Sequence, residues 1–289
     1  MSYTIITDSA CDLPQDIIDS LNIKVTPFKI TVDDLAFDHY PDARELSFKE
    51  FYDRIRAGSL PTTSAVNPLT WMDAIEEEFT KGLDVFIIGF SSALSITLNN
   101  AVIAAEEMRT RYPERQVEVV DSLCASAGQG FLVRLAAEKQ IEGLTLSENV
   151  KYIEDNKLNI CHWVLVDDLS HLRRGGRIPA ATAIVGSALG IKPIIKVDNE
   201  GRLVNCDKTR GRKKGIQYLL DRLGETIKDP ASQSVLITNA DCFDEVQEMA
   251  NTIKSHFGVK DVVITPLGPV PGAHTGPGTI ALFFFGDHR

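Results

Sequence analysis

Hydroxyls, one imidazole and a set of guanidinium groups carry the chemistry that this sequence can do. Residues 89–95, GFSSALS, place Ser91, Ser92 and Ser95 directly after the apolar run DVFIIGF. A helix-like stretch follows, with Leu94, Leu98, Ala101, Val102, Ala105 and Met108 on one face. Serines at a helix start can cap its free N–H groups, and the same groups with the helix dipole can hold an anion. Gly89-x-Ser91-x-Ala93 also approaches the nucleophile elbow G-x-S-x-G, and Asp121 and His274 follow in Ser…Asp…His order. The last glycine of that elbow is missing and no HGGG-type stretch precedes it. A serine hydrolase acting on an ester through Ser91, Asp121 and His274 therefore stands as the alternative reading.

A second hydroxyl cluster, Thr62, Thr63 and Ser64, lies in what reads as a loop after Pro61. Asn67 suits an N-cap and Pro68 a first helical turn, so these residues either lead into a helix or face a ligand head group. His274 sits in GPVPGAHTGPG, residues 268–278, where Gly and Pro allow close backbone approach and fix a loop geometry. Arg173, Arg174 and Arg177 surround two glycines and precede a small-residue segment with Ala180, Ala181, Ala183, Gly186, Ala188 and Gly190. They are either a solvated surface or an anion- or partner-binding group. A further basic cluster, Lys208, Arg210, Arg212, Lys213 and Lys214, reads as an ordinary helix start, although cations there oppose the dipole. The histidines show no H-E-x-x-H spacing, and there is no G-x-x-x-x-G-K-[ST] phosphate loop.

The elements that must hold these groups alternate. YTIITDS, DVFIIGF, QVEVVDS, HWVLVDD, SVLITNA and DVVITPL are compact apolar runs that end in polar or turn residues. Helix-like segments lie between most of them, which predicts an α/β architecture with largely parallel strands. Ligands in such folds sit beyond the carboxyl ends of the strands. IKPIIKV, Asp198–Gly201 and RLVNCDK predict a hairpin, hence antiparallel pairing in the second half. The boundary is expected after the polar segment EGLTLSENVKYIEDNKL, giving domains 1–158 and 159–289.

A length of 289 residues suits one large domain or two ordinary ones. The net charge of −10 argues against a nucleic-acid binder. No basic-then-apolar leader opens the sequence and no run of 18 apolar residues occurs, so neither a secretory signal nor a membrane-spanning helix is expected. Five scattered cysteines without a C-x-x-C pair fit unpaired thiols in a reduced, cytoplasmic protein.

Taken together, TDSACDLP (7–14), PTTSAVNP (61–68), FSSALSIT (90–97), HLRRGGRI (171–178), IKPII (191–195) and GPGTIALFFFG at the C-terminal end resemble the DegV family of bacterial fatty-acid-binding proteins. The resemblance runs nearly end to end. It implies a two-domain DegV-like (EDD) α/β fold, with a Rossmann-like parallel-sheet N-terminal domain, a mixed-sheet C-terminal domain and a lipid site between them. It implies a carrier that binds one long-chain fatty acid and presents the carboxylate to a separate ATP-dependent kinase subunit, which makes the acyl phosphate. It implies no cofactor beyond the bound lipid and at most transient membrane contact. Carried over by motif, the carboxylate-binding residues would be Thr63, Ser64, Ser92, Ser95 and His274, with Arg177 and Arg210 facing the partner or the phosphate. Ile96 stands where the family's S-G-T has glycine, and Ala65-Val66 replace Gln-Pro, so the head-group site is expected to be reshaped.

Overall fold

The computed structural model of the chain describes residues 2–179 and 190–289. The runs at the start of the sequence form a four-stranded parallel sheet. Its strands are β1 (Tyr3–Asp8), β2 (Lys24–Thr26), β6 (Asp84–Gly89) and β7 (Val117–Asp121), in the order β2-β1-β6-β7. Every residue of β1 and β6 is buried, which explains their unbroken apolar character rather than an alternating one. Helices α1 (Gln15–Ser20), α3 (Pro68–Thr80), α4 (Thr97–Arg111), α5 (Ala127–Ile141) and α6 (Leu146–Asn156) accompany this sheet. Asn67 caps α3 through Thr70 N, and Thr145 with Glu148 forms a capping box on α6.

A mixed six-stranded sheet follows, in the order β10-β9-β8-β13-β11-β12. It comprises β8 (Ile160–Leu165), β9 (Ile191–Val197), β10 (Leu203–Arg210), β11 (Ser234–Asn239), β12 (Asp261–Pro266) and β13 (Ile280–Phe285). The expected hairpin is present as β9–β10. Only β11 and β12 run parallel here; the other neighbours are antiparallel, so the parallel pattern of the first sheet does not extend to this one. Helices α7 (Ser170–Arg174), α8 (Arg212–Thr226), α9 (Phe243–His256) and α10 (Pro269–Thr275) belong to this half. The period-two geometry of β13 splits its side chains between two cores. Ala281 and Phe283 pack with α5 residues such as Leu132, whereas Ile280, Leu282 and Phe284 pack with Leu219 and Ile253 of α8 and α9.

Four local expectations change. Residues 62–64 are not loop but strand β5 (Thr62–Ser64), paired with β3 (Phe28–Val32) in a small antiparallel sheet completed by β4 (Leu35–His39). That sheet and α2 (Phe48–Arg56), capped by Ser47, have no counterpart in the strand–helix alternation. Ser91 and Ser92 do not start the helix: α4 begins at Thr97, and Ser95 Oγ accepts from Thr97 N. Its buried face carries Leu98, Ala101, Ala104, Ala105 and Met108, while Val102 is exposed. The Gly/Pro stretch around His274 is helix α10 rather than a loop. The small-residue segment 180–189 lies outside the described residues.

Candidate functional site

An apolar cavity lies among the small sheet, α10, the segment 90–95, the start of α5 and one face of the mixed sheet. About 740 Å³ of non-atom space runs through it, part of it open to solvent. The mixed sheet contributes Val164, Ile195, Val197, Ala281 and Phe283, and the other walls include Phe28, Phe90, Leu94 and Val270, all buried. The same alternation that divides β13 between two cores therefore also builds one wall of the cavity.

Polar groups gather where the lining is only half-buried: Thr63, Ser95, Arg177, His274 and Thr275. Strand β5 delivers Thr63 and the last turn of α10 delivers His274, so that Thr63 Oγ1 and His274 Nε2 stand 3.0 Å apart. Gly175 makes room for the ring, because a Cβ there would lie 2.2 Å from His274 Nδ1. Burial, helped by the positive charges of Arg177 and Arg174 and by His171, pushes the imidazole down to about 4, so it is neutral at physiological pH. Arg177 donates from Nε to Leu94 O at 3.2 Å and from Nη1 to Gly175 O. Among the described residues no carboxylate pairs with it, and burial weighs against its charge. Three of its five N–H donors remain available. A half-buried guanidinium beside a neutral imidazole, three hydroxyls and an apolar cavity can hold an oxyanion whose remainder is hydrocarbon.

The other candidate residues fall elsewhere. Alternation along β5 sends Ser64 to the face opposite Thr63, where it is exposed, and Ser92 is exposed too; neither lines the cavity. Arg210 is exposed at the end of β10. The hydrolase triad is not assembled. Ser91 is buried and its Oγ donates to Gly201 O at 2.9 Å, Asp121 Oδ1 accepts from the backbone N–H groups of Ser92 and Leu123, and His274 faces Thr63. Sequence reasoning missed the deeper polar lining of Ser126, His162 and Thr279. His162 is saturated: Nδ1 meets Ile160 O and Nε2 accepts from Ala125 N, and burial keeps the ring neutral. For His162 the available signal was a polar residue inside the otherwise apolar strand β8.

Fold and cavity together define an α/β protein with a buried apolar pocket that is polar along one side. A family model described as "uncharacterised protein, DegV family" matches residues 2–287. A DegV domain-containing protein of Clostridium perfringens is 39% identical over 287 residues, covering 99% of this chain and 98% of that one. One from Streptococcus pyogenes is 34% identical over 288 residues, covering 100% and 99%. Among solved structures, a DegV lipid-binding protein from Thermotoga maritima superposes with a TM-score of 0.86 at 28% identity, covering 100% of both chains. A DegV family protein from Thermus thermophilus, described by its fatty acid binding, gives 0.87 at 28%, covering 99% of this chain and 100% of that one. The chain belongs to the DegV family. Among the described residues no helix is long and apolar enough to cross a membrane.

Proposed function

We propose that this protein binds one long-chain fatty acid, tail in the apolar cavity and carboxylate at Thr63, Ser95, Arg177 and His274. The observation that carries this reading is Arg177: a half-buried guanidinium without an acidic partner among the described residues, lining a largely apolar cavity. The fatty-acid-binding relative from Thermus thermophilus supports it. So does the energetics. A tail of roughly 15 methylenes at ~0.8 kcal/mol each provides about 12 kcal/mol gross, much of it offset by association and ordering. The carboxylate cannot enter unpaired, and the guanidinium, imidazole and hydroxyls supply its partners.

The proposal extends to a carrier role in the cytoplasm, with no catalysis by this chain alone and no cofactor. Residues 1–158 and 159–289 act as two units with the lipid between them, and a separate ATP-dependent kinase subunit docks where the acid is exposed. The bound carboxylate oxygen attacks the γ-phosphorus of the kinase's ATP, the bond to ADP breaks, and an acyl phosphate remains on the carrier. Arg177, with the exposed Arg210, is suited to the partner or the transferred phosphate.

Mass spectrometry of the organic extract of natively purified protein tests the binding step. A stoichiometric long-chain fatty acid is expected; an empty extract, unchanged after incubation with mixed fatty acids, would overturn it. Arg210→Glu, which lies outside the cavity lining, tests the transfer step, and it should impair phosphorylation by the kinase more than lipid retention. Equal loss of both would count against a phosphate-facing role.

A further inference from the structure

The entry into α10 is held by the beginning of the chain. Asp12, buried, accepts through Oδ1 from Gly268 N at 3.1 Å and through Oδ2 from the hydroxyl of Ser126, the residue before α5. Tyr52 donates from its hydroxyl to Leu267 O at 2.7 Å. Gly268 is packed tightly: a Cβ there would lie 2.4 Å from Asp12 Oδ1 and 2.7 Å from His39 Nε2. Six residues further on, about 9 Å along the helix at its ordinary rise, stands His274. We propose that Asp12 is a positioning residue for His274, fixing the entry of α10 and thereby the place of the imidazole against Thr63 and Gly175.

The arrangement carries costs that simple packing would avoid. Asp12 has left-handed backbone, φ 47°, uncommon for a residue other than glycine. Burial raises its carboxyl to about 8, with Asp8 adding to the rise. Cys11, His39 and Tyr52 are its other titratable neighbours, none of them a cation at neutral pH. An apolar side chain would fill this space without those costs but could not accept from Gly268 N–H.

The test uses the full chain with ¹³C-labelled histidine and follows the His274 titration by NMR. Palmitate affinity is measured in parallel. In Asp12→Ala the His274 midpoint should move from about 4 towards its ordinary 6.5, and palmitate affinity should fall roughly tenfold. Asp12→Asn keeps an acceptor for Gly268 N–H and should restore both. If Asp12→Ala does not fold, Gly268→Ala decides, since its Cβ pushes α10 off Asp12 and should move His274 in the same way. A His274 titration unmoved in the variant that folds, or Asp12→Asn as impaired as Asp12→Ala, would overturn the assignment. The affinity arm rests on the proposed lipid reading and the NMR arm does not: wild-type protein that ignores palmitate sinks that reading and leaves the positioning role decided by NMR.

Discussion

Thr63 Oγ1 and His274 Nε2 are 3.0 Å apart across 211 positions of sequence. The contact fixes one imidazole nitrogen on the cavity side, and burial with the nearby Arg177 guanidinium keeps the ring neutral. A site arranged in this way waits for negative charge rather than supplying it.

Replacing His274 with alanine removes one hydrogen-bonding partner of the proposed carboxylate and leaves Arg177 in place. Bonds to charged groups contribute about 1.5–3 kcal/mol, so affinity for a long-chain fatty acid should drop roughly tenfold or more, with little change in unfolding midpoint. Titration calorimetry with palmitate checks the size of the loss, and a urea unfolding curve checks its confinement to binding.

Gly175→Ala should imitate that loss without touching the imidazole chemically. The new methyl would stand 2.2 Å from His274 Nδ1, closer than any real contact, so the ring must leave Thr63. Gly175 lies in right-handed backbone, φ −72°, that alanine adopts freely, which leaves the steric clash as the cause. Wild-type affinity in this variant would show that the ring's position does not matter.

Ester hydrolysis offers a separate check. Ser91 Oγ is buried and engaged with Gly201 O, out of contact with any base. Wild-type protein should not turn over p-nitrophenyl esters above background. Ser91→Ala should cost about 1–2 kcal/mol of stability from the orphaned Gly201 carbonyl, seen as a lower urea midpoint. Turnover abolished by that substitution would restore the hydrolase reading.

The strands of the parallel sheet and the β9–β10 hairpin were legible because continuous apolar runs and turn residues are local signals. Strand β5 was not: three residues of TTS become a strand only because Lys29–Thr31 of β3 lie alongside. Helix α10 was hidden for a related reason. Its Gly and Pro residues disfavour helix locally, yet Pro269 occupies the first turn where no N–H is needed, and Gly272 is demanded by Tyr52, whose hydroxyl would lie 2.4 Å from a Cβ there. Thr63, Ser95, Arg177 and His274, taken from motif resemblance, all line the cavity. Ser64, from the same motif as Thr63, falls outside the cavity because neighbouring residues alternate sides in an extended strand, and Ser92 is exposed in a turn. Asp12 gave no chemical signal of its own, because its partner Gly268 is 256 positions away.

A bound carboxylate should also change how His274 titrates. Without ligand the ring titrates at about 4. An anion placed against it favours the protonated form and raises that value. Binding then takes up protons, and affinity should strengthen as pH falls from about 6.5 towards 4. Calorimetry in buffers of different ionisation enthalpy reads the proton uptake directly, and no buffer dependence at pH 5.5 would show that the carboxylate sits away from His274.

Stability should respond to pH in two opposed ways. Burial lowers His39 and His274 to about 4, against an ordinary 6.5. Between those values the unfolded chain holds more protons than the fold, so this contribution is complete above pH 6.5 and drains away as pH falls towards 4. Asp12 runs the other way. Its carboxyl is raised from 3.8 to about 8, so the folded protein holds the extra proton in that window, and the contribution, full below 3.8, is lost as pH rises through 8. Asp8, raised to about 6 by burial, has lost its share before that point. From pH 6.5 to 8.5, Asp12 is therefore the member of this set whose protonation changes. Asp12→Asn keeps the acceptor for Gly268 N–H and cannot ionise, so the variant should gain stability relative to wild type from pH 6.5 to about 8 and level off above it. Urea midpoints measured at half-unit intervals check the slope, and parallel curves for the two proteins would place the Asp12 titration outside that range.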